Sequence, residues 1–438
     1  MAREMKDSGV EWIREIPKGW EIVKNKYLLK EIYSGGTPTS GNPNFYDENG
    51  IPFVSIGDMK LNNKIYETKR KLTIAGIKDK NLRILNEDTI LYSIYATIGN
   101  VSQLGVKATI SQALLALILN EEKYRKNFYK YNLIALKNFA LSLSNGNTQN
   151  NLNAEIVKNF FLVLASLEEQ EKIANYLDKK VADIDLIIEK TKATIEDYKK
   201  YKQSIITEAV TKGLNPDVEM KDSGIEWIGE IPKHWKIRKI KSFLSVISKG
   251  TTPKEISSNK SEKYNIKYIK SENIFNGLVV DIPKFYITSE INEELKRSQL
   301  QEDILFVIAG AGIGKTAIMP SSLLPANTNQ AVSFLRLKEE YKDYKKYLWY
   351  FLQSNILKIY IELFSVLSAQ PNLSMENLSN LKISLPEISE VEKIADYLDK
   401  KVSEIDNLIF KKESLINEME EYKKSLIYEC VTGKKEII

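Results

Sequence analysis

The 438-residue sequence holds one histidine, one cysteine and no long apolar run. With His234 as the sole imidazole, a histidine-paired nucleophile has one residue to draw on and a Cys/His zinc site cannot form. Cys430 excludes an intrachain disulfide, and its place on an apolar helical stripe marks it as a small buried side chain rather than a reactive thiol. No stretch of about 18 uncharged apolar residues is present to span a bilayer, and the opening MAREMKDSGVEW lacks the apolar core of a signal peptide. A cytoplasmic protein with no membrane association is therefore expected. Charge excess is small as well: 63 basic against 58 acidic residues leave +5, which permits nucleic-acid binding without requiring it. Much enzyme chemistry is thereby excluded.

What the chain does have is one pattern written twice. From Leu177, steps of four and three pass through Val181, Ile184, Ile188, Thr191, Ile195, Tyr198, Lys202, Ile205 and Ala209. This alternation is the seam of a coiled coil, and no Gly or Pro interrupts residues 169–212, so a single rod of roughly 60 Å is predicted. The seam returns 221 residues later as Leu398, Val402, Ile405, Ile409, Lys412, Ile416, Met419, Lys423, Leu426 and Cys430. Even the polar breaks agree, Thr191 with Lys412 and Lys202 with Lys423. Two such stripes in one chain are expected to cover each other; the alternative is that each covers only its own globular half.

The duplication extends further. EMKDSGVEWIREIPKGW at 4–20 reappears as EMKDSGIEWIGEIPKHW at 219–235, with fourteen of seventeen positions identical. His234 stands where the first copy has Gly19, so an obligatory catalytic role would leave the other half without one; an ordinary surface histidine is expected. Between these motifs and the helices both halves read as mixed α/β. IPFVSI and DTILYSI are strand-like, residues 121–143 have helical periodicity, and Gly/Asn clusters punctuate the rest. Counterparts lie 215 residues apart at Gly35 and Gly250, 218 at Gln112 and Gln330, and 221 at Gln149 and Gln370, so the second half carries two small insertions. The organisation is thus 1–165, a globular half; 166–213, a helix; 214–386, a second globular half; and 387–438, a second helix. The globular halves keep only a common skeleton, as two readers of different targets would.

Three strings suggest other chemistry. AGAGIGKT at 309–316 approximates a phosphate loop, but its counterpart IYATIGNV has Asn100 in place of Lys315, and two prolines follow where a long helix should begin. Asn42, Pro43, Asn44 and Phe45 approximate a base-holding methyltransferase loop without its second proline, and fit a turn. KYRKNFYKY and YKDYKKYLWY interleave rings and lysines as stacking platforms do, yet amphipathic helices with a buried aromatic face look the same, and that reading is preferred. Polar loop residues such as Gln149, Asn150, Gln370 and Asn372 are better suited to base edges.

SGGTP, IPFVSIGDM, DTILYSIYATIGN, ISQA and LEEQEKIANYLD, repeated as SKGTTP, IKYIKSENI, DILFVIAGAGIGK, TNQA and SEVEKIADYLD, resemble the specificity subunit of type I restriction-modification systems across essentially the whole chain. The resemblance implies two target recognition domains separated by an antiparallel spacer of two long helices, in a non-catalytic subunit that binds double-stranded DNA. It also implies two DNA methyltransferase (modification) subunits using S-adenosylmethionine, and two restriction or motor subunits using ATP and Mg, with no cofactor in this chain. Carried onto this sequence, the turns Gly35, Gly36, Thr37 and Gly250, Thr251, Thr252 are expected to meet the DNA backbone. Base readers are expected among Asp58, Tyr95, Thr97 and Gln149 in one half and Glu272, Asn273, Lys315 and Gln370 in the other. Two different readers on a rod would recognise a split target, two specific blocks flanking unspecified base pairs. A protein scaffold without sequence-specific DNA contact remains the alternative, and the modest charge suits it.

Overall fold

Without a helix breaker between them, residues Leu167–Lys212 form one helix of 46 residues in the computed structural model, and Ile388–Val431 form a second of 44. The structure describes residues 3–39, 41–59, 63–145, 151–365 and 372–437. The first helix begins at a reciprocal cap, in which the Ser166 hydroxyl accepts the Glu169 N–H at 3.2 Å and donates to its carboxylate at 3.0 Å. Both helices stop at glycines with positive φ, Gly213 at 75° and Gly433 at 73°.

Contacts divide the chain into two units, residues 1–191 with 414–438, and residues 192–413. Each unit therefore owns one globular half and a length of both long helices. In unit 1 the beginning of the first helix packs on the end of the second: Leu177, Val181, Ile184 and Ile188 share a buried core with Leu426, Ile427, Cys430 and Val431. Within unit 2 the end of the first helix meets the beginning of the second, where Lys202 pairs with Asp406 at 2.6 Å. The helices are antiparallel. Of the seam, Ile195, Leu398, Ile405 and Ile409 are also buried, while Val402 and Ile416 are half-buried.

In unit 1 a five-stranded sheet runs in the order Leu29–Ser34, Leu114–Leu119, Ile90–Ser93, Val101–Leu104 and Asn63–Ile65. A three-stranded sheet lies in the order Thr109–Ile110, Tyr46–Val54 and Arg70–Leu72, its first pair parallel with Thr109 opposite Phe53. Unit 2 repeats the plan with four strands (Leu244–Lys249, Val332–Leu337, Ile304–Val307, Thr316–Ile318) and three (Tyr286–Ile287, Ile266–Ile269, Ala326–Thr328), the parallel pair now placing Asn327 opposite Tyr268. The stretch 121–143 is not one helix: Lys126–Ala135 and Lys137–Asn145 are separated at Leu136. Neither Gly nor Pro marks that break.

The opening motifs are hairpins, Met5–Asp7 with Glu15–Pro17 and Met220–Asp222 with Glu230–Pro232. Each delivers a buried tryptophan to the start of a long helix. Trp20 Nε1 donates to Glu169 at 3.0 Å and Trp235 Nε1 to Glu390 at 3.1 Å. Their rings meet Phe128 and Tyr347 edge-on at 6.5 Å in each unit. His234 is exposed, with Nε2 2.8 Å from Glu390, and so braces this joint in unit 2. In unit 1 that place is taken by Arg3, which pairs with Glu169 and lies over the Trp20 ring.

Candidate nucleic-acid interface

Strands Ile90–Ser93 and Val101–Leu104 are antiparallel neighbours, so residues 94–100 form a hairpin loop. Gly99, at φ +80°, donates its N–H back to Ser93 O, and Asn100 N–H donates to Thr97 O at 3.1 Å. Tyr95 and Thr97 are exposed on this loop. Its base is braced by Lys137, whose ammonium donates to Asn100 Oδ1 at 2.7 Å; burial pulls the pKa of that lysine down.

The second half builds the same loop between Ile304–Val307 and Thr316–Ile318. Gly310 and Gly314 take positive φ, and Val307 N–H reaches Lys315 O at 2.8 Å. AGAGIGKT is therefore a strand-to-strand turn with no helix after it, which removes the phosphate-loop geometry. Lys315 is exposed. The 42–45 stretch is a turn as well, Asn42 Oδ1 accepting the Asn44 N–H at 3.1 Å.

Hydrogen bonds gather other loops around each hairpin. In unit 1, Ile94 N–H donates to Ala113 O at 3.0 Å, Leu152 N–H to Ile94 O at 3.1 Å, and Ser111 N–H to Val54 O at 2.9 Å. The Thr37 hydroxyl bonds the exposed Gln112 side chain. Unit 2 reproduces the set: Ile308 N–H to Ala331 O and Leu373 N–H to Ile308 O, both 2.9 Å, with Thr252 bonded to Gln330. Residues far apart in sequence thus share one end of the sheets in each half. Gln112 and Gln330 were visible in the sequence only as alignment points; the Thr–Gln couple that makes them part of this edge needed the fold. Gln149, Asn150 and Gln370 lie outside the described residues, while Asn372 forms a bridge with Ala309 at the hairpin.

The turn glycines are tied into the chain itself. Gly35 and Gly36 donate inward to Leu114 O and Ile110 O, and Gly250 and Thr251 to Val332 O and Thr328 O. A Cβ at Gly35 would stand 2.3 Å from the carbonyl oxygens of Ile110 and Ser111, and one at Gly250 only 1.9 Å from Thr328 O. These glycines permit one chain to cross another, and their amides are not free for phosphates. Thr37 and Thr252 remain at the surface. Asp58 and Asn273, counterparts in the two halves, are also committed to the chain itself. The Asp58 carboxylate accepts Ser55 N–H at 2.9 Å and Lys69 N–H at 3.0 Å. Buried Asn273 accepts Lys270 N–H at 3.0 Å and donates to Val280 O and Pro283 O. A base reader needs accessible, unspent donors or acceptors; Asn273 is buried and both its amide N–H donors are spent on Val280 O and Pro283 O. Glu272, beside it, is exposed.

The interleaved aromatics are core. Tyr124, Phe128, Tyr129 and Tyr131 are buried in unit 1, and Tyr344, Tyr347 and Tyr350 in unit 2. Tyr131 and Tyr350 each donate at 2.7 Å to an aspartate of a long helix, Asp178 and Asp399. Among the described residues no group of metal-ligating side chains gathers, and no helix is long and apolar enough to cross a membrane.

Comparison with known proteins agrees with this duplicated plan. A chain of a solved structure described as the structural basis of complex assembly and conformational transition of the type I R-M system matches with a TM-score of 0.69 at 15% identity, covering 96% of this chain and 99% of that one. The type I restriction enzyme MjaVIII specificity subunit of Methanocaldococcus jannaschii is 27% identical over 405 residues, 90% of this chain and 88% of the relative. The EcoBI specificity subunit of Escherichia coli is 26% identical over 388 residues, 83% and 77% of the two chains. The family model described as the type I restriction modification DNA specificity domain matches twice, at residues 17–197 and 232–418. With both halves matched, the chain belongs to the type I restriction-modification DNA specificity family, whose subunits are non-catalytic.

Proposed function

We propose that this chain reads a bipartite double-stranded DNA target, one block per globular half, and seats two DNA methyltransferase subunits and two restriction or motor subunits in the cytoplasm. The observation that carries the reading is the repeated edge: one scaffold of hairpin, turn and Thr–Gln couple, built twice, with different side chains on it. Thr97 faces Gly312 in the alignment of the halves, and Asn100 faces Lys315. An equal framework with unequal donors and acceptors is what two different base sequences require. S-adenosylmethionine, ATP and Mg belong to the partner subunits in this reading, and this chain holds none of them.

Titration of the subunit with its methyltransferase partner on genomic and random duplexes, over a range of salt, tests it. A sequence-specific reader keeps its preference as salt weakens the phosphate contribution. Equal binding to every duplex at all salt concentrations would instead favour a protein scaffold.

A further inference from the structure

Beside the loop edge of unit 1 run three consecutive basic residues, Lys69, Arg70 and Lys71. Asp58 ties them there, since the carboxylate that caps Ser55 also accepts the Lys69 N–H. The neighbouring Lys64, Lys80 and Arg83 are each paired, with Asp88, Asp79 and Glu31. Lys69, Arg70 and Lys71 form no ion pair among the described residues. The Arg70 guanidinium lies 5.2 Å from the Phe53 ring centroid and 5.8 Å from that of Tyr46, at a cleft of about 610 Å³. Asp47 and Glu48 share the cleft, but Asp47 is turned onto its own loop by the Asn49 N–H at 2.8 Å. A stacked guanidinium keeps its in-plane donors open, the geometry that suits phosphate oxygens.

Packing alone would account for one arginine over a ring. Unit 2 argues for more. Strand register places Tyr286 opposite Lys267 as Lys71 stands opposite Pro52, so Phe285 occupies the position of Arg70. Lys270, the counterpart of Ser55, lies 3.6 Å from the Phe285 centroid. A ring now stands at the Arg70 position and the cation comes instead from the Ser55 position, so positive charge remains at the same sheet edge. Lys284, matching Lys69, is exposed too. A base contact would not survive such a change of side chain and direction, whereas a phosphate, which carries no sequence information, asks only for positive charge at the place.

We propose that this edge holds backbone phosphates of the DNA whose bases the adjacent loops read, through Lys69, Arg70 and Lys71 in unit 1 and through Lys270 and Lys284 in unit 2. The proposal rests on the DNA-reading function proposed above. It is tested on the complex of the full chain with its methyltransferase partner, using a duplex that carries the methylated target and a scrambled duplex. For Lys69→Gln/Arg70→Gln/Lys71→Gln, affinity for both duplexes should fall together, by about ten-fold or more at low salt. The slope of log affinity against log salt should become shallower by about 0.9 for each phosphate that is no longer neutralised. Lys69→Gln/Lys71→Gln, which leaves the ring stack intact, should show a partial loss, and Arg70→Lys should retain most of the slope. The methylated sequence should stay the same throughout.

Unchanged affinity and slope in variants that assemble normally would overturn the proposal. So would an altered methylated sequence, which would make these residues base readers, or loss of the methyltransferase partner with intact DNA affinity per assembled complex, which would make the edge a protein contact. A parent complex with no preference among duplexes would remove the DNA-reading function itself; a selective parent with equally avid variants would remove only this edge.

Discussion

Lys423 of the second long helix pairs with Asp185 of the first at 2.5 Å, and the same pair recurs in unit 2 as Lys202 with Asp406. Both lysines sit on the apolar seam. A lysine there costs packing, but in the antiparallel register it reaches a carboxylate on the facing helix, so the seam's polar break marks one alignment over its neighbours. Lys423→Glu should lower the stability of unit 1 by about 1–2 kcal/mol by placing two carboxylates together, and Lys423→Glu with Asp185→Lys should recover most of it. Urea unfolding of the four proteins in this cycle measures the coupling. Additive effects would show that the pair does not set the register.

The Trp20–Glu169 joint should make unit 1 acid-sensitive. Burial disfavours the charged Glu169, but hydrogen bonds from Arg3, Trp20 and Ser166 outweigh it and hold the carboxyl below the usual glutamate value. As pH falls the unfolded chain takes the proton first. The stabilisation is therefore complete above the ordinary glutamate pKa of about 4.5 and is lost as pH drops through the lower folded value. Glu169→Gln should be about 1–2 kcal/mol less stable than the parent at neutral pH, the two converging as pH falls through the lowered value of the folded carboxyl. Thermal unfolding monitored by tryptophan fluorescence across pH checks this.

The two helix-ending glycines should differ in tolerance. A Cβ on Gly433 would stand 2.5 Å from Pro17 and 2.9 Å from Trp20, whereas one on Gly213 would stand 3.2 Å from Trp235. Both have positive φ, so alanine costs about 1 kcal/mol at either site, and Gly433→Ala should add a clash of about 1–3 kcal/mol. Equal melting points for the two variants would contradict this.

Cys430 is fully buried on the seam, and burial pushes its thiol up to about 12. A thiol reagent at about pH 8 should leave the folded protein unlabelled and modify one cysteine per chain in urea. Rapid labelling of native protein would place Cys430 at an accessible surface instead.

The long helices were legible because their signal is local and repeated: a four-three seam, no breaker for more than forty residues, and a glycine just past the C-terminal end of each. The aromatic stripes of 123–131 and 341–350 were legible for the same reason. The loop edge was legible only as a region. Tyr95 and Thr97 lie exposed on it, but Asp58 and Asn273 are taken up by turns of their own neighbourhood, Gly35 has its role set by a segment distant in sequence, and no local pattern announces that Ile110 O will stand where a Cβ would be. The basic triplet at 69–71 was equally hidden, since lysine and arginine are common in a chain with 28% charged residues. Its meaning depends on which neighbours are already paired.

Reading by two separate halves is tested most directly by methylation-sensitive sequencing of a genome modified by the assembled complex, with residues 21–165 native or exchanged for those of a relative. The native chain should yield a methylated-adenine motif of two specific blocks around an unspecified gap, and the exchange should replace one block while leaving the other block and the gap length intact. A continuous motif, or replacement of both blocks by the single exchange, would contradict it.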